Sequence, residues 1–453
     1  MQDRSPAAVD AVPNLAALGA EVGALRPRRA VGRIASLGKG LVQVSGLAEA
    51  AALGDVVRIG AGAAPVGGEI VELHGGGAVI LPEGSGEGLR IGDPVLHLGP
   101  AALAPHAGWV GRIVDADGRP LDGRPLAPGV IAKPLRHPPP PATERRLLGP
   151  RLATGLAVFD TMLPIVRGQR IGVFAGSGVG KSRLMAAFAR GMEADLSVIA
   201  LVGERGREVR EFVEAVLGPE GLARSIVVVA TSDQPPLVRR RALWSAMAVA
   251  EHFRDEGRHV LMLADSVTRF AEAHREVAIS AGESAALRGF PASTAHLIMQ
   301  MAERAGPGPI ATGGDITAIF SVLVAGSDMD EPVADILRGV LDGHVVLDRG
   351  IAERGRYPAV DVLRSVSRAL PDCARAEENT LIALARRRLG AWASAELMVQ
   401  SGLYTAGSDA EVDAAVDAFP KLDAVFGGTA PQGPDGAFAM LASALGAAAP
   451  PRR

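Results

Sequence analysis

A glycine-rich octapeptide at residues 175–182, Ala-Gly-Ser-Gly-Val-Gly-Lys-Ser, carries the clearest chemistry in the sequence. It follows an apolar run and precedes a stretch with helical periodicity, which is the context that a phosphate-binding loop requires. Its glycines allow backbone N–H groups to converge on phosphates, and the helix adds the positive end of its dipole. Lys181 would neutralise β- and γ-phosphate charge, and the Ser182 hydroxyl would bind Mg²⁺. We therefore predict a nucleotide-phosphate site, although Ala175 replaces the usual first glycine.

Two carboxylates follow apolar runs further along the chain. Asp265 ends the run Val260–Ala264, about 80 residues after the loop, where it would lie beside the Mg²⁺ ion. Glu204 follows another apolar run, which we expect to form the strand next to the loop strand. There it could hold the attacking water in line with the γ-phosphorus. The alternative is a solvated carboxylate paired with Arg205 or Arg207, and position alone leaves both open.

Apolar runs alternate with amphipathic stretches through the central part of the chain. This alternation is typical of a doubly wound parallel sheet with right-handed crossovers, whose strand ends would position the loop and the carboxylates. The predicted strands are Arg170–Ala175, Ser197–Val202, Ser225–Ala230, Val260–Ala264 and Ile316–Val324, and the predicted helices include Lys181–Met192, Arg207–Leu217 and Leu237–Glu256.

Short alternating segments separated by glycine-containing turns precede this region and predict a small β-barrel. The six predicted strands are Ala30–Ile34, Gly40–Val44, Val56–Ile59, Gly68–Leu73, Ala78–Leu81 and Pro94–Leu98. Trp109 is the only aromatic residue before residue 150. Because single-stranded nucleic acid is bound by stacking on aromatic side chains, we expect the barrel to be an assembly collar and predict no nucleic-acid partner.

Other segments carry weaker signals. Residues 1–29 are alanine-rich and end in basic residues, which fits either a mobile terminus or a short partner-binding helix. Arg239–Arg241 are interpreted as a solvated or interface face rather than a phosphate clamp. The pattern is helical from Ala374 onward, with Arg386–Arg388 expected on an exposed face. After Gly427 the sequence is rich in Gly, Ala and Pro, and we expect regular structure to end there.

Composition limits the classes of function. A length of 453 residues predicts about three domains. The 47 Lys and Arg residues against 50 Asp and Glu residues give a net charge of −3. The overall charge of the protein therefore does not favour binding of nucleic acid or other polyanions. The single cysteine, Cys373, excludes an internal disulfide framework. No apolar stretch is long enough for a transmembrane helix and no signal peptide is apparent, so we expect a cytoplasmic protein.

Eight collinear blocks carry a family resemblance. They are Asp160–Arg170, Phe174–Ser182, Gly203–Val209, Ala230–Leu237, Asp265–Phe270, Asp328–Ala334, Leu341–Leu347 and Tyr357–Arg368. In this order they resemble the catalytic subunits of rotary-type hexameric ATPases, and most closely the flagellar type III export ATPases and their injectisome relatives. The resemblance is weakest in the C-terminal third.

The resemblance implies an α/β fold: a RecA-like P-loop NTPase core with a parallel sheet, preceded by a small N-terminal β-barrel and followed by a helical C-terminal domain. The corresponding limits are residues 1–29 for a partner-binding extension, 30–105 for the barrel, 106–372 for the ATPase domain and 373–453 for the C-terminal domain with its tail.

The resemblance also assigns roles. Glu204 resembles the catalytic carboxylate, and Arg205 and Arg269 resemble arginines near the γ-phosphate. Tyr357 matches the aromatic residue that packs on adenine, with a core tyrosine as the alternative. Arg368 matches an arginine finger delivered to a neighbouring subunit, with a structural salt bridge as the alternative. The implied ATP-binding residues are Ala175, Gly176, Ser177, Gly178, Val179, Gly180, Lys181, Ser182, Arg183 and Tyr357, and the implied Mg²⁺ ligands are Ser182 and Asp265.

The implied function is hydrolysis of ATP with Mg²⁺ in a homohexamer that delivers or unfolds flagellar export substrates. The implied partners are a stator-like regulator, a central stalk protein, the membrane export gate, and export substrates with their chaperones. The protein would be cytoplasmic and peripherally associated with the inner-membrane export apparatus. An injectisome ATPase is the nearest alternative, followed by an ATP synthase subunit and an RNA translocase.

Overall fold

The computed structural model describes residues 28–60, 65–324 and 329–451, together with residues 19 and 22. The predicted partner-binding extension at residues 1–29 therefore lies almost wholly outside the described residues. None of the helices in the described part combines the length and the apolar character needed to cross a bilayer.

The N-terminal part is a closed antiparallel barrel in which the strand order is β1-β2-β5-β4-β3-β6. Its strands are β1 Val31–Gly38, β2 Leu41–Ser45, β3 Val56–Ile59, β4 Val66–His74, β5 Gly77–Pro82 and β6 Pro94–Gly99. Alternate residues such as Val42 and Val44 fill its interior. All six predicted strands are therefore confirmed, with ends that differ by up to four residues. A short ribbon of β7 (Ala102–Leu103) and β9 (Lys133–Pro134) follows.

The central part is a nine-stranded sheet that contains all five predicted strands. Its strands are β8 Arg112–Asp115, β10 Arg170–Ala175, β11 Leu196–Glu204, β12 Ser225–Thr231, β13 His259–Asp265, β14 Gly306–Pro307, β15 Asp315–Leu323, β16 Gly343–Leu347 and β17 Val360–Ser367. The order along the sheet is β17-β16-β10-β15-β13-β11-β12-β8, with β14 paired to β15. The strands from β16 to β8 are parallel, whereas β17 and β14 are antiparallel to their neighbours.

The helices cover both faces of this sheet and form the C-terminal part. They are α1 Ala157–Asp160, α2 Lys181–Gly191, α3 Gly206–Glu211, α4 Gly218–Ala223, α5 Pro236–Asp255, α6 Val267–Ser280, α7 Ser293–Arg304, α8 Pro332–Val340, α9 Arg349–Glu353, α10 Ala376–Gln400, α11 Ala410–Phe426 and α12 Gly433–Leu445. A π-helical turn, Phe212–Leu217, continues α3 and completes the helix predicted at 207–217.

Apart from the barrel interior, the core consists of two apolar layers, one on each face of the sheet. Along β11, Val198 belongs to the layer beneath α5, whereas Ile199 belongs to the layer shared with α2 and the C-terminal helices. Because parallel strands are buried on both faces, they appear in the sequence as continuous apolar runs. This explains why the apolar runs in the sequence predicted the positions of these strands correctly.

The expectation that regular structure ends after Gly427 is wrong. Helix α12 begins with Pro434 in its first turn and packs against α1 and α11. Phe438 and Leu441 on this helix are fully buried. Their spacing of three residues places them on one helical face, and burial of this face outweighs the low helix propensity of the glycines around it.

The interpretation of Arg239–Arg241 as an interface face is confirmed for Arg240 and Arg241, which contact the barrel instead of solvent. Arg240 is 3% exposed and donates to both carboxylate oxygens of Glu69 in the barrel, at 2.8 and 2.9 Å. Arg241 is 5% exposed and pairs with Glu83 of the barrel. Two ion pairs near the N-terminus of α5 therefore clamp the barrel to the sheet. The two carboxylates offset the cost of burying the arginine cations.

Candidate nucleotide-binding site

The glycine-rich loop has the conformation that the sequence predicts. Strand β10 ends at Ala175, α2 begins at Lys181, and Gly178 and Gly180 between them have positive φ angles of 80° and 88°. A Cβ atom on Gly180 would lie 2.9 Å from the ring of Tyr357. Glycine is needed here both for the left-handed backbone and for the close approach of the ring.

A cleft of about 990 Å³ opens above this loop. The predicted site residues that line it are Ala175, Gly176, Ser177, Gly178, Gly180, Lys181, Ser182, Arg183, Glu204, Arg205, Arg269 and Tyr357. Three others lie elsewhere. Val179 and Asp265 are buried beneath the surface of the cleft, and Arg368 is exposed outside it.

Lys181 lies between the two predicted carboxylates. Its ammonium group forms an ion pair with Asp265, and its Nζ atom is 3.8 Å from Oε1 of Glu204. Asp265 is 3% exposed and also accepts a hydrogen bond of 2.7 Å from the Ser321 hydroxyl. Burial and the nearby charge of Asp265 raise the pKa of Glu204 to about 7, while Lys181 opposes this rise. A pKa near neutral pH would allow Glu204 to accept a proton and release it again, which is what a general base requires.

Glu204 reaches the site by a route that differs from the predicted one. Its strand β11 is not adjacent to the loop strand β10, because β15 and β13 lie between them. In the register of β11 with β13, Leu201 is opposite Asp265, so Glu204 extends three residues beyond that carboxylate. A bulge at Gly203, with φ of 72°, redirects the strand end. The predicted adjacency is wrong, but parallel strand ends still bring the groups together.

The donor atoms at this end of the sheet fit a magnesium ion. Ser182 supplies a hydroxyl in the cleft and Asp265 supplies a carboxylate below it, and Mg²⁺ prefers such oxygen donors. Among the described residues there is no group of three or more His, Cys, Asp or Glu side chains that could hold a metal ion. This sparse donor set suits an ion bound mainly through water and substrate phosphates.

The arginines beside Glu204 are engaged with other carboxylates. Arg269 pairs with Glu272 at 2.8 Å, and this hydrogen bond raises the pKa of the Arg269 guanidinium. Arg205 is exposed and lies 3.6 Å from Glu208. The structure does not realise the alternative in which Glu204 pairs with Arg205 or Arg207.

Tyr357 and Arg368 flank strand β17. Tyr357 is 42% exposed at the rim of the cleft, so it is not the core residue that was the alternative. Arg368 follows the strand, and its guanidinium donates to the carbonyl oxygen of Arg338 at 3.3 Å. In the described part of the chain, no carboxylate forms a salt bridge with Arg368, which argues against the structural alternative.

Several residues of the site were missed by sequence reasoning. Arg239 lines the cleft and forms an ion pair of 2.9 Å with Glu276, although its sequence neighbours face the barrel. Thr268 also lines the cleft. Ser321 is fully buried and holds Asp265. A polar residue within an otherwise apolar predicted strand was the available signal for Ser321.

A phosphate-binding loop at the carboxyl end of a parallel sheet, with a lysine between two carboxylates, defines a P-loop nucleoside-triphosphatase. The model of the ATP synthase alpha/beta family, nucleotide-binding domain, matches residues 155–367. The model of the T3SS EscN ATPase C-terminal domain matches residues 374–427.

Similar proteins cover most of the chain. The flagellum-specific ATP synthase of Caulobacter vibrioides is 43% identical over 89% of this chain and 93% of its own length. The SPI-2 type 3 secretion system ATPase of Salmonella typhimurium is 44% identical over 78% of this chain and 81% of its own. The assembled ATPase EscN with its central stalk EscO, from enteropathogenic E. coli, has a TM-score of 0.82 at 33% identity and covers 91% of this chain and 100% of that one. The chain belongs to the flagellar and type III secretion ATPases within the ATP synthase alpha/beta family, and it is an ATP-hydrolysing enzyme.

Proposed function

We propose that this chain is the motor subunit of a flagellar type III protein export apparatus, coupling ATP hydrolysis in a homohexamer to delivery or unfolding of export substrates. Support comes from relatives named flagellum-specific ATP synthases in several bacteria, at 41–46% identity. The alternative is the ATPase of a virulence secretion system, since injectisome relatives reach similar identity, 42–44%, over 78–79% of the chain.

The observation that carries the proposal is the divided distribution of catalytic groups. Lys181, Glu204 and Asp265 converge in one cleft, whereas Arg368 is exposed away from it. A guanidinium that is exposed and has no carboxylate partner among the described residues is available to another molecule. In a ring of identical subunits it would complete the cleft of the neighbour, and such a finger contributes about 10³–10⁵ in rate.

Each residue then has a chemical task. The backbone of the loop and Lys181 bind the phosphates, and Tyr357 at the rim packs on the base. Ionised Glu204 orients the attacking water and accepts its proton. Ser182 and Asp265 would hold Mg²⁺, which supplies charge neutralisation on the phosphate oxygens. Arg205 and Arg269, which line the same cleft, would stabilise the charge that develops on the γ-phosphate.

The partners are proposed from the relatives. EscN is described as assembled and in complex with a central stalk, and we propose a comparable ring and stalk here. A stator-like regulator, the membrane export gate, and export substrates with chaperones complete the set. The protein would work in the cytoplasm, peripherally associated with the inner-membrane apparatus.

Purified protein tests the proposal directly. We expect Mg²⁺-dependent ATP hydrolysis whose specific activity rises with protein concentration as rings form, and capture of a flagellar stator-like protein from the host lysate. A specific activity independent of concentration would contradict the ring. Capture of injectisome components instead of flagellar ones would favour the alternative system.

A further inference from the structure

We propose that Arg386, on helix α10 of the C-terminal part, is a positioning residue for Arg368. It fastens the strand that presents Arg368, so that the C-terminal helices control whether the guanidinium reaches a neighbouring subunit. This inference rests on the proposed composite site.

Strand β17 contains a large bulge that ends three residues before Arg368. In its pairing with β16, Asp361 is opposite Val346 and Val366 is opposite His344. The single β16 residue between these pairs therefore faces residues 362–365 of β17. The regular ladder does not fix so large a bulge, so its geometry depends on additional contacts.

Side chains inside the bulge provide some of these contacts. The Asp361 carboxylate accepts hydrogen bonds from the backbone N–H groups of Leu363 and Arg364, at 3.0 and 3.1 Å. The Ser365 hydroxyl accepts from the N–H of Val346 at 2.9 Å and donates to the Asp361 carbonyl at 2.5 Å. They fold the bulge locally but do not connect it to the C-terminal helices.

Arg386 makes that connection. Its guanidinium donates to the carbonyl oxygens of Val362 and Ser365, both at 3.2 Å. These carbonyls stand at the two ends of the bulge, so one rigid fork spans it. The expectation that Arg386 lies on an exposed face is wrong, because it is half-buried against β17.

The environment of Arg386 sets it apart from its neighbour. Burial lowers the pKa of the Arg386 guanidinium, and none of the described carboxylates forms a salt bridge with it. Arg387, by contrast, is exposed and pairs with Glu411 on α11. Partial burial of a charged guanidinium costs free energy that an apolar side chain at this position would not cost, so packing alone does not explain an arginine here. Two hydrogen bonds from one planar group to two carbonyls do fix the shape of the backbone between them.

The bulge lies in the same strand as Arg368 and ends three residues before it. The backbone N–H of Arg368 donates to the Asp342 carbonyl at 3.0 Å, which anchors the residue at the far end of β17. Only two pairs with β16, His344–Val366 and Gly343–Ser367, separate the bulge from Arg368, so a change in the shape of the bulge would shift this short strand end and the guanidinium that it carries. A movement of α10 would reach the bulge through the two Arg386 hydrogen bonds and Arg368 through the short strand end that follows it.

Substitution of Arg386 tests the role. Arg386→Met keeps the aliphatic stem and removes the donors, whereas Arg386→Lys retains one cationic donor. We expect Arg386→Met to lower kcat by about 10- to 100-fold, the effect of misplacing a catalytic group by about 1 Å. ATP affinity, measured by fluorescence titration, should stay within about two-fold. Arg386→Lys should lie between the two, and the control Arg387→Met should keep kcat within about two-fold.

Mixed rings identify which site suffers. Arg386→Met subunits retain an intact cleft and lack only a well-placed finger, so mixing them with Glu204→Gln subunits should restore activity above the weighted mean. Arg368→Ala mixed with Glu204→Gln is the reference. If the reference recovers and the Arg386→Met mixture does not, or if folded Arg386→Met keeps the kcat of the unsubstituted protein, the positioning role is wrong. Failure of the reference as well would overturn the composite site and the inference together.

A second substitution covers the case in which Arg386→Met does not fold. Ser365→Ala removes both hydroxyl hydrogen bonds from the bulge without deleting a charge. It should lower kcat in the same direction, leave ATP affinity unchanged and recover in the same mixture. An unchanged kcat for Ser365→Ala in assembled protein would contradict a link between the bulge and Arg368.

Discussion

Replacing Glu204 by glutamine should stabilise the folded protein at pH 8 much more than at pH 5. The pKa of Glu204 rises from its ordinary value of 4.5 to about 7 on folding, mainly through burial and then through the charge of Asp265. The folded protein therefore binds this proton more tightly than the unfolded chain does. Above pH 4.5 the unfolded chain loses this proton while the folded protein keeps it, so the free energy of unfolding falls as the pH rises. The loss of stability reaches its full size above pH 7, where Glu204 is ionised in both states.

The magnitude follows from the two pKa values. Each pKa unit corresponds to about 1.4 kcal/mol, so the penalty reaches about 3 kcal/mol at pH 8 and falls below about 1 kcal/mol at pH 5. Glutamine has a similar shape and carries no charge, so Glu204→Gln should remove the penalty. Its side chain remains beside Lys181, which keeps its ion pair with Asp265.

Urea unfolding at both pH values, without nucleotide and at one protein concentration, measures the difference. The free energy of unfolding of Glu204→Gln should exceed that of the unsubstituted protein by about 3 kcal/mol at pH 8. Glu211→Gln is the control, because this carboxylate on the nearby helix α3 is exposed and its removal should change stability by no more than about 0.5 kcal/mol. If Glu204→Gln raises the free energy of unfolding equally at both pH values, or lowers it at pH 8, the claim that the folded protein raises the pKa of Glu204 towards 7 is refuted.

Three further predictions follow from the same geometry. Lys181→Ala should weaken ATP binding by about 100-fold or more in a fluorescence titration, since it removes the cation that faces the phosphates; near-normal affinity would contradict its role. For the unsubstituted enzyme, kcat/KM should rise with pH around a midpoint near 7, because Glu204 must be ionised to accept a proton; a flat profile from pH 6 to 8 would exclude it as the base. Glu69→Ala should lower the free energy of unfolding by about 3–5 kcal/mol, because buried Arg240 loses its partner, and a loss under about 1 kcal/mol would show that the clamp is not structural.

Local features of the site could be predicted from the sequence because they depend on short stretches of chain. The phosphate-binding loop is a strand, a turn and a helix in succession, and its glycines are needed for backbone angles within that turn. The positions of Glu204 and Asp265 at strand ends follow from where apolar runs stop. That these ends meet follows from parallel pairing alone.

Long-range relations could not be predicted. The order of strands places β15 and β13 between the loop strand and the strand of Glu204, and local periodicity contains no information on that order. Arg240 finds its partner Glu69 across 171 residues of sequence. The position of Arg386 likewise depends on a bulge in another part of the chain.

Composition was misleading at the C-terminus. The glycines and prolines after Gly427 suggested that regular structure would end, yet Pro434 occupies the first turn of α12, where a missing N–H costs nothing. The apolar spacing of Phe438 and Leu441 was the more informative signal, because buried area decides whether a marginal helix forms.

The central claim is that one subunit holds the triphosphate and orients the water while its neighbour supplies Arg368. The most direct measurement is the ATPase rate of rings mixed from Arg368→Ala and Glu204→Gln subunits, each nearly inactive alone. Where a Glu204→Gln subunit lends its Arg368 to an Arg368→Ala cleft, both functional halves meet. We predict a rate well above the weighted mean of the two variants, highest near equal proportions, and a rate that never exceeds this mean would contradict the account.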